Sequence, residues 1–199
     1  MFKRNILKQT LLLAALGWTL ALPAQAVTWQ VDIDTATLAG TRGYLDLQLN
    51  PGASDAQSVQ AHISNFSTDA TLGTGKVDGA ASGSLSGVLV LDNRDALNAW
   101  LQELVFGSHI AFTLDIDGVL DAGSGSSFAS LIWDMDFNSL LGAGAEDAAL
   151  RINLVPAAAP SWVASSAVQI SAVPEPSIAG SLLAGLGLIG FAMRRRSWN

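Results

Sequence analysis

Thr28-Trp-Gln-Val-Asp-Ile-Asp34 decides the fold class of this chain, because large apolar and polar residues alternate in it with a period of two. Trp29, Val31 and Ile33 fall on one face of an extended segment, and the polar residues between them fall on the other. Gly43-Tyr-Leu-Asp-Leu-Gln-Leu-Asn50 repeats the pattern. Such alternation predicts strands that bury one face and expose the other to solvent.

The same alternation recurs along the rest of the chain. The further predicted strands are 58–66, 83–91, 108–117, 127–137, 148–155 and 162–172. Residues 95–106 differ, because their apolar residues are spaced three and four apart, and this spacing predicts one short helix. Eight or nine short strands separated by Gly, Pro, Asn and Asp predict an all-β fold, an antiparallel β-sandwich of the jelly-roll type.

Residues 27–172 form the single predicted domain, which is long enough to bury a core. The chain has no cysteine, so it has neither disulfides nor thiolate ligands or nucleophiles. Between residues 27 and 173, sixteen acidic residues face only four basic ones, which gives a net charge of −12. This balance argues against nucleic acid or anionic lipid as a partner, since those associations depend on clustered Lys and Arg.

Residues 1–26 have the pattern of a signal peptide. Basic residues near the start precede the apolar run 11–22, and Ala24 and Ala26 form the small-x-small signature that signal peptidase recognises. Cleavage there would leave Val27 as the first residue. The alternative is an N-terminal transmembrane anchor, which the shortness of the apolar run and the proline after it disfavour.

Residues 173–199 form a second targeting segment, at the C-terminal end of the chain. Three features follow one another: Val173-Pro-Glu-Pro-Ser177, the uncharged run 178–193, and the basic stop Arg194, Arg195 and Arg196. As a helix the uncharged run would span about 24 Å at about 1.5 Å per residue, somewhat short of a hydrocarbon layer of roughly 30 Å. It therefore predicts a transmembrane helix, with a buried core segment as the alternative. The arginines favour the cytoplasmic side for their end, which places the domain on the periplasmic side.

This tail resembles the PEP-CTERM sorting signal of Gram-negative bacteria that make exopolysaccharide. The resemblance rests on Pro174, Glu175 and Pro176, the apolar run and the basic stop. It implies that exosortase, a membrane-embedded transpeptidase-like protease, acts near those three residues while the chain is anchored in the inner membrane. It also implies delivery to the cell surface or to an extracellular matrix of polysaccharide or biofilm.

The domain itself is similar, in the segments 28–34, 43–52 and 63–69, to small uncharacterised PEP-CTERM proteins. That resemblance implies no catalytic residues.

Candidate metal ligands are three acidic pairs, each with one residue between its members. They are Asp32 and Asp34, Asp115 and Asp117, and Asp134 and Asp136. On a strand each pair shares a face, with the two residues about 7 Å apart. Two pairs meeting at one edge would supply the oxygen ligands that Ca²⁺ prefers. The alternative is a solvated polar face and no cofactor, and the chain lacks the D-x-[DN]-x-[DN]-G calcium loop.

An enzyme is not predicted. His62 and His109 are the only histidines, and no nucleophile motif accompanies them. The glycine-rich pieces 71–76 and 123–127 lack the spacing of a phosphate loop, so they are interpreted as hairpin loops.

The leading expectation is a structural or adhesive protein associated with exopolysaccharide. The alternative is a carbohydrate-binding module, with or without Ca²⁺, that uses Trp100, Trp133 or Trp162 as a platform. An exposed tryptophan beside an acidic pair would favour binding, and buried tryptophans would favour a scaffold. A hydrolase ranks below both.

Overall fold

The computed structural model describes residues 27–118, 121–143 and 147–173. These residues form twelve strands and one short 3-10 helix, Ala36–Leu38. The strands are β1 Val27–Asp34, β2 Arg42–Pro51, β3 Val59–Thr68, β4 Thr71–Asp78, β5 Ala81–Gly83, β6 Leu89–Asp92, β7 Ala99–Val105, β8 His109–Gly118, β9 Ser126–Asp134, β10 Leu150–Leu154, β11 Ser161–Ala164 and β12 Val168–Ala172.

The strands pair into two antiparallel sheets of six. The first sheet has the order β12-β1-β8-β3-β6-β5, and the second has the order β11-β10-β9-β2-β7-β4. The all-β fold with antiparallel sheets is therefore confirmed. The jelly-roll type is not established by this strand order and stays a prediction.

One hydrophobic core includes the inner faces of both sheets. Trp29 and Phe112 of the first sheet and Leu47 and Phe128 of the second are fully buried in it. Phe112 and Phe128 meet edge to face, with ring centroids 6.5 Å apart. The apolar residues predicted to face inward from β1, β2, β3 and β8 are all buried. The period-two pattern therefore identified the core-facing side of these strands correctly.

Residues 95–106 do not form the predicted helix, and the prediction is wrong there. They contain β7, in which Gln102 lies opposite the core residue Leu45 of β2 and is itself buried. The Nε2 of Gln102 donates hydrogen bonds to the carbonyl oxygens of Gly73 and Glu103, both at 2.9 Å. A polar residue is thus satisfied on the inner face. Apolar residues stand on both faces of β7, and that arrangement imitates helical spacing in a short window.

The segment 71–76, interpreted as a hairpin loop, belongs to β4, the edge strand beside β7. The ring of Trp100 approaches Gly75 so closely that a Cβ on this glycine would lie 2.3 Å from it. Glycine is therefore needed here for close packing, which is its usual role within a strand.

Two predicted strands are each divided in two. The stretch 83–91 begins at the end of β5, makes a turn and continues as β6. The stretch 162–172 contains β11 and β12, which belong to different sheets. Residues 84–88, which include Leu85 and Val88, and residues 165–167 interrupt these stretches without introducing a charge.

Within the described ranges, no helix is both long and apolar enough to span a membrane. The predicted signal peptide at 1–26, the sorting motif, the apolar run and the three arginines all lie outside the described residues.

Candidate functional site

A row of polar side chains runs along the outer face of the second sheet. The Nδ2 of Asn50 donates to the Oε1 of Gln48 at 3.0 Å, and the Nε2 of Gln48 donates to the Oδ2 of Asp46 at 2.7 Å. All three belong to β2, whose alternate residues face the core, so the row stands on the side away from it. We call Asp46, Gln48 and Asn50 the polar ladder.

Asp46 is the unusual member of the polar ladder, because the residue is only 7% exposed although it lies on an outer face. Leu101 of β7 and Leu131 of β9 lie opposite it on either side. The Oδ2 also accepts a hydrogen bond from the Nε1 of Trp133 at 3.2 Å, whereas the buried Oδ1 has no hydrogen-bond partner. Burial raises the pKa of Asp46, and the hydrogen bonds from Gln48 and Trp133 partly oppose that shift.

Three aromatic side chains border the polar ladder. Tyr44 precedes Asp46 on the same face of β2, and Trp133 lies opposite Tyr44 on β9. The ring of Phe137 stacks on Tyr44 with centroids 5.1 Å apart and planes 6° apart, and Phe137 is 55% exposed. We call Tyr44, Trp133 and Phe137 the aromatic cluster. It places a flat apolar surface next to a row of hydrogen-bonding groups.

A tight turn after β9 holds Phe137 in place. The carboxylate of Asp134 accepts hydrogen bonds from the backbone N–H of Asp136 and from the backbone and side chain of Asn138, each at 2.8 Å. These bonds, led by the one from the Asn138 side chain, lower the pKa of Asp134. Phe137 itself has φ of +60°, a conformation that bulky residues rarely adopt. Strain of this kind is frequent at binding sites.

The three predicted acidic pairs do not come together. Asp134 and Asp136 lie in the turn of the second sheet, whereas the other two pairs lie on the outer face of the first. Asp32 lies opposite Ala111, four residues along β8 from Asp115, which corresponds to about 13 Å at roughly 3.3 Å per residue. The part of the chain that the structure describes contains no group of three or more acidic or histidine side chains placed to hold a metal ion. Calcium binding stays a prediction without geometric support.

The two histidines are also separate. His62 lies opposite Asp115 on β8. The Nδ1 of His109 lies 3.3 Å from a carboxylate oxygen of Asp69, and both side chains are exposed. That carboxylate accepts hydrogen bonds from the backbone and hydroxyl of Ser108 and from the backbone of His109, and these hold the pKa of Asp69 well below its usual range. Asp69 therefore anchors the turn into β8, and no recorded hydrogen bond of the described side chains joins a hydroxyl to either imidazole.

The three candidate tryptophans have different surroundings. Trp100 packs over Gly75 and is partly buried, and Trp162 is 48% exposed on β11. Trp133 is partly buried and bonded to the single carboxylate of Asp46. Trp133 directly precedes Asp134 of the third acidic pair, whereas Trp100 and Trp162 lie on strands that contain none of the predicted pairs. The sequence did not predict the polar ladder, because Asp46 in an alternating strand resembles any solvated residue. The apolar residues Leu131 and Trp133 at outer positions of β9 could have indicated that part of the outer face is buried.

A surface cavity of about 560 Å³ lies near the end of the polar ladder, between the loop after β2 and the loop after β6. Its lining includes Gly52, Ser54, Asn93 and Arg94 and has no aromatic side chain. Arg94 forms an ion pair with Asp92, in which its Nε lies 3.1 Å from the Oδ1 of Asp92. The cavity therefore lacks the flat apolar surface that distinguishes the aromatic cluster.

Substituting Asp46 with asparagine tests the burial of this carboxylate. The folded state binds the proton more tightly than the unfolded state, whose aspartate pKa is 3.8. Stability from this group is therefore lost as pH rises from 3.8 through the raised pKa, and it stays reduced at neutral pH. Asp46→Asn should melt at a higher temperature than the unsubstituted protein at pH 7, with the difference shrinking below pH 3.8. Asp78→Asn, an exposed site, serves as the control in thermal melts across pH, and a gain that grows in acid would contradict the prediction.

Comparison with protein families matches residues 172–196 to the PEP-CTERM protein-sorting motif. Neither the curated proteins nor the solved structures contain a match to this chain. The matched segment begins at the last residue of β12 and includes Pro174, Glu175, Pro176 and the three arginines, so the resemblance of the tail is confirmed. This motif is carried by exported proteins that are anchored in the membrane transiently and processed by exosortase. The chain is therefore a PEP-CTERM protein, an exported substrate of exosortase.

Proposed function

We propose that the exported domain is a non-enzymatic, adhesive component of an extracellular polysaccharide matrix, and that it binds the polysaccharide through the aromatic cluster and the polar ladder. The observation that carries this proposal is the half-exposed ring of Phe137, stacked on Tyr44 beside the polar ladder. In this proposal the domain faces the periplasm while the tail is anchored, and the processed protein resides at the cell surface or in the matrix.

Sugar rings combine an apolar face of C–H groups with hydroxyl groups around the rim. A flat aromatic surface complements the first, and amide groups complement the second. Gln48 and Asn50 are half-buried, so they are held in place and still reach solvent. With a net charge of −12, the domain is better suited to a neutral polysaccharide than to a strongly anionic one.

A calcium-dependent version of this binding is the second candidate, and only the acidic composition favours it. The separation of the acidic pairs gives it no assembled site. Hydrolysis ranks lowest, because Asp46, the one carboxylate of the described residues with a raised pKa, has its Oδ1 buried.

Phe137→Ala should weaken binding to polysaccharide from an exopolysaccharide-producing host by about tenfold, equivalent to ~1.4 kcal/mol. The variant removes the exposed ring and leaves the sheet intact. Affinity electrophoresis in gels that contain the polysaccharide measures the dissociation constant. Met135→Ala is the matched control, because Met135 is a neighbouring exposed apolar residue outside the aromatic cluster.

A second pair of variants tests the polar ladder. Gln48→Ala should also weaken binding, whereas Gln30→Ala on the outer face of the first sheet should not. Equal binding by Phe137→Ala, Gln48→Ala and the unsubstituted protein would refute this site. Loss of binding on chelation of calcium would instead support the calcium-dependent candidate.

A further inference from the structure

β11 and β12 are the edge strands of the two sheets on one side of the molecule, and only three residues, 165–167, join them. On the opposite side the edge strands are β4 and β5, which contact each other. Among the residues that the structure describes, β11 pairs only with β10, and β12 pairs only with β1. Each therefore has an edge with backbone groups free for another strand.

The hydrogen-bond pattern shows which groups of β11 point outward. The N–H of Ser165 donates to the carbonyl of Ala149 at 2.8 Å. Bonded pairs alternate along an antiparallel ladder, so Val163 and Ser161 are the residues of β11 bonded to β10. The N–H and C=O groups of Trp162 and Ala164 consequently point away from the sheet.

β11 is short, with four residues, but it lacks two features that usually protect an edge strand, namely charge and an irregular register. β5 has only three residues, and β4 carries Lys76 and a register irregularity. β11 has no charge and a regular register with β10, and no Asp, Glu, Lys or Arg occurs from residue 152 to 174. Trp162 is 48% and Val163 is 46% exposed. In a domain with a net charge of −12, an uncharged edge is the place where two copies can approach.

We propose that β11 pairs antiparallel with β11 of a second copy about a twofold axis through Val163. In this register Trp162 lies opposite Ala164 of the partner subunit, and Ala164 lies opposite the partner's Trp162. These are the residues whose backbone groups point outward, so two N–H and two C=O groups from each copy pair in four hydrogen bonds. The second sheets of the two copies then form one continuous sheet.

The twofold axis places Val163 opposite the partner's Val163 as a non-hydrogen-bonded pair, with Cα atoms about 4.5 Å apart. Directly opposite residues share a face, so the outer faces of both second sheets point the same way. Two polar ladders are then presented to one polysaccharide chain, which raises avidity. Since both copies are acidic, added salt strengthens the pairing by screening their repulsion.

The first test uses Val163→Cys in the exported protein purified from an exosortase-containing host. The chain has no other cysteine, and the Cα separation at the axis lies within the range that a disulfide bridges. Val77→Cys is the control, a similarly exposed valine on the opposite edge strand β4. In a glutathione redox buffer, Val163→Cys should form covalent dimers about tenfold faster or more, because pairing raises the local thiol concentration. Equal rates for the two variants would overturn the proposal.

A second measurement does not depend on cysteine chemistry. Sedimentation velocity should show dimers of the unsubstituted protein that increase with salt, and Val163→Lys should abolish them, since like charges would meet at the axis. Val77→Lys makes the same charge change and should still dimerise. Val163→Glu alone should be monomeric, and a mixture with Val163→Lys should recover the dimer. A monomeric unsubstituted protein at high salt, or dimers of Val163→Lys, would contradict the pairing whether or not the polysaccharide binds.

Discussion

Asn98→Ala is expected to lower the free energy of unfolding by roughly 3–5 kcal/mol, a loss seen when several buried polar groups lose their partners together. Asn98 is completely buried just before β7. Its Nδ2 donates to the carbonyls of Leu49 at 3.0 Å and Asp95 at 2.7 Å. Its Oδ1 accepts from the N–H groups of Ala80 at 3.0 Å and Asp95 at 3.2 Å. Alanine provides none of these bonds, and each buried group left unpaired costs about 1–3 kcal/mol.

Urea unfolding followed by tryptophan fluorescence measures this loss. Asn153→Ala is a suitable control, because Asn153 is a half-buried residue of the outer face of β10. The control should cost no more than about 0.5 kcal/mol, as surface substitutions usually do. A loss below about 1 kcal/mol for Asn98→Ala would show that water replaces the side chain. The four recorded bonds would then not be what fixes the start of β7.

Asn98 also explains why the sequence misled the prediction for 95–106. The apolar spacing there is compatible with a helix, and nothing local excludes one. The strand is selected by distant partners, because Leu49 of β2 accepts from Asn98, and Gln102 is satisfied by Gly73 of β4. Contacts between residues so far apart in the chain are absent from any short window of sequence.

The strands β1, β2, β3 and β8 were predictable for the opposite reason. Inward-facing and outward-facing residues alternate in them over five or more positions, so the sequence of each strand alone indicates which of its faces is buried. The division of 83–91 and 162–172 into separate strands was not predictable from alternation, since residues 84–88 and 165–167 contain no charge and no proline that would mark a break. The assignment of β11 and β12 to different sheets depends on the packing of the whole domain.

The candidate site could be predicted only in part. The sequence pointed to tryptophan and acidic residues, and the candidate site contains Trp133 and Asp46, but the predicted pairs of aspartates lie on solvated faces and in a turn. Asp46 stands alone in the sequence and becomes distinctive only when Leu101 and Leu131 are placed on either side of it. The turn that Asp134 stabilises places the ring of Phe137 against Tyr44, and no short window of sequence indicates this contact.

Exosortase should determine the mass of the exported protein in an all-or-none manner. In a host with exosortase, intact mass spectrometry should detect a chain that begins at Val27 and ends near Pro174. Without exosortase, the chain should retain the apolar run and the basic stop. Glu175→Ala should have the same effect as loss of the enzyme if the Pro-Glu-Pro motif is what exosortase recognises. Pro160→Ala, a proline change outside the motif, should leave processing unchanged.

The structure gives a physical reason to expect that cleavage before Val27 and cleavage near Pro174 would both leave the fold intact. β1 begins at Val27, and the last backbone bond of the β1–β12 ladder runs from the N–H of Val173 to the carbonyl of Thr28 at 2.8 Å. Proline at 174 has no N–H to extend that ladder. A cut near this residue therefore removes none of the described strands, and processed and unprocessed forms should unfold at the same urea concentration. A product truncated before Ala172 would lose part of β12 and should be less stable. A product that keeps residues 178–199 in the presence of exosortase would mean that the tail is a lasting membrane anchor, which would contradict the proposed location in the matrix.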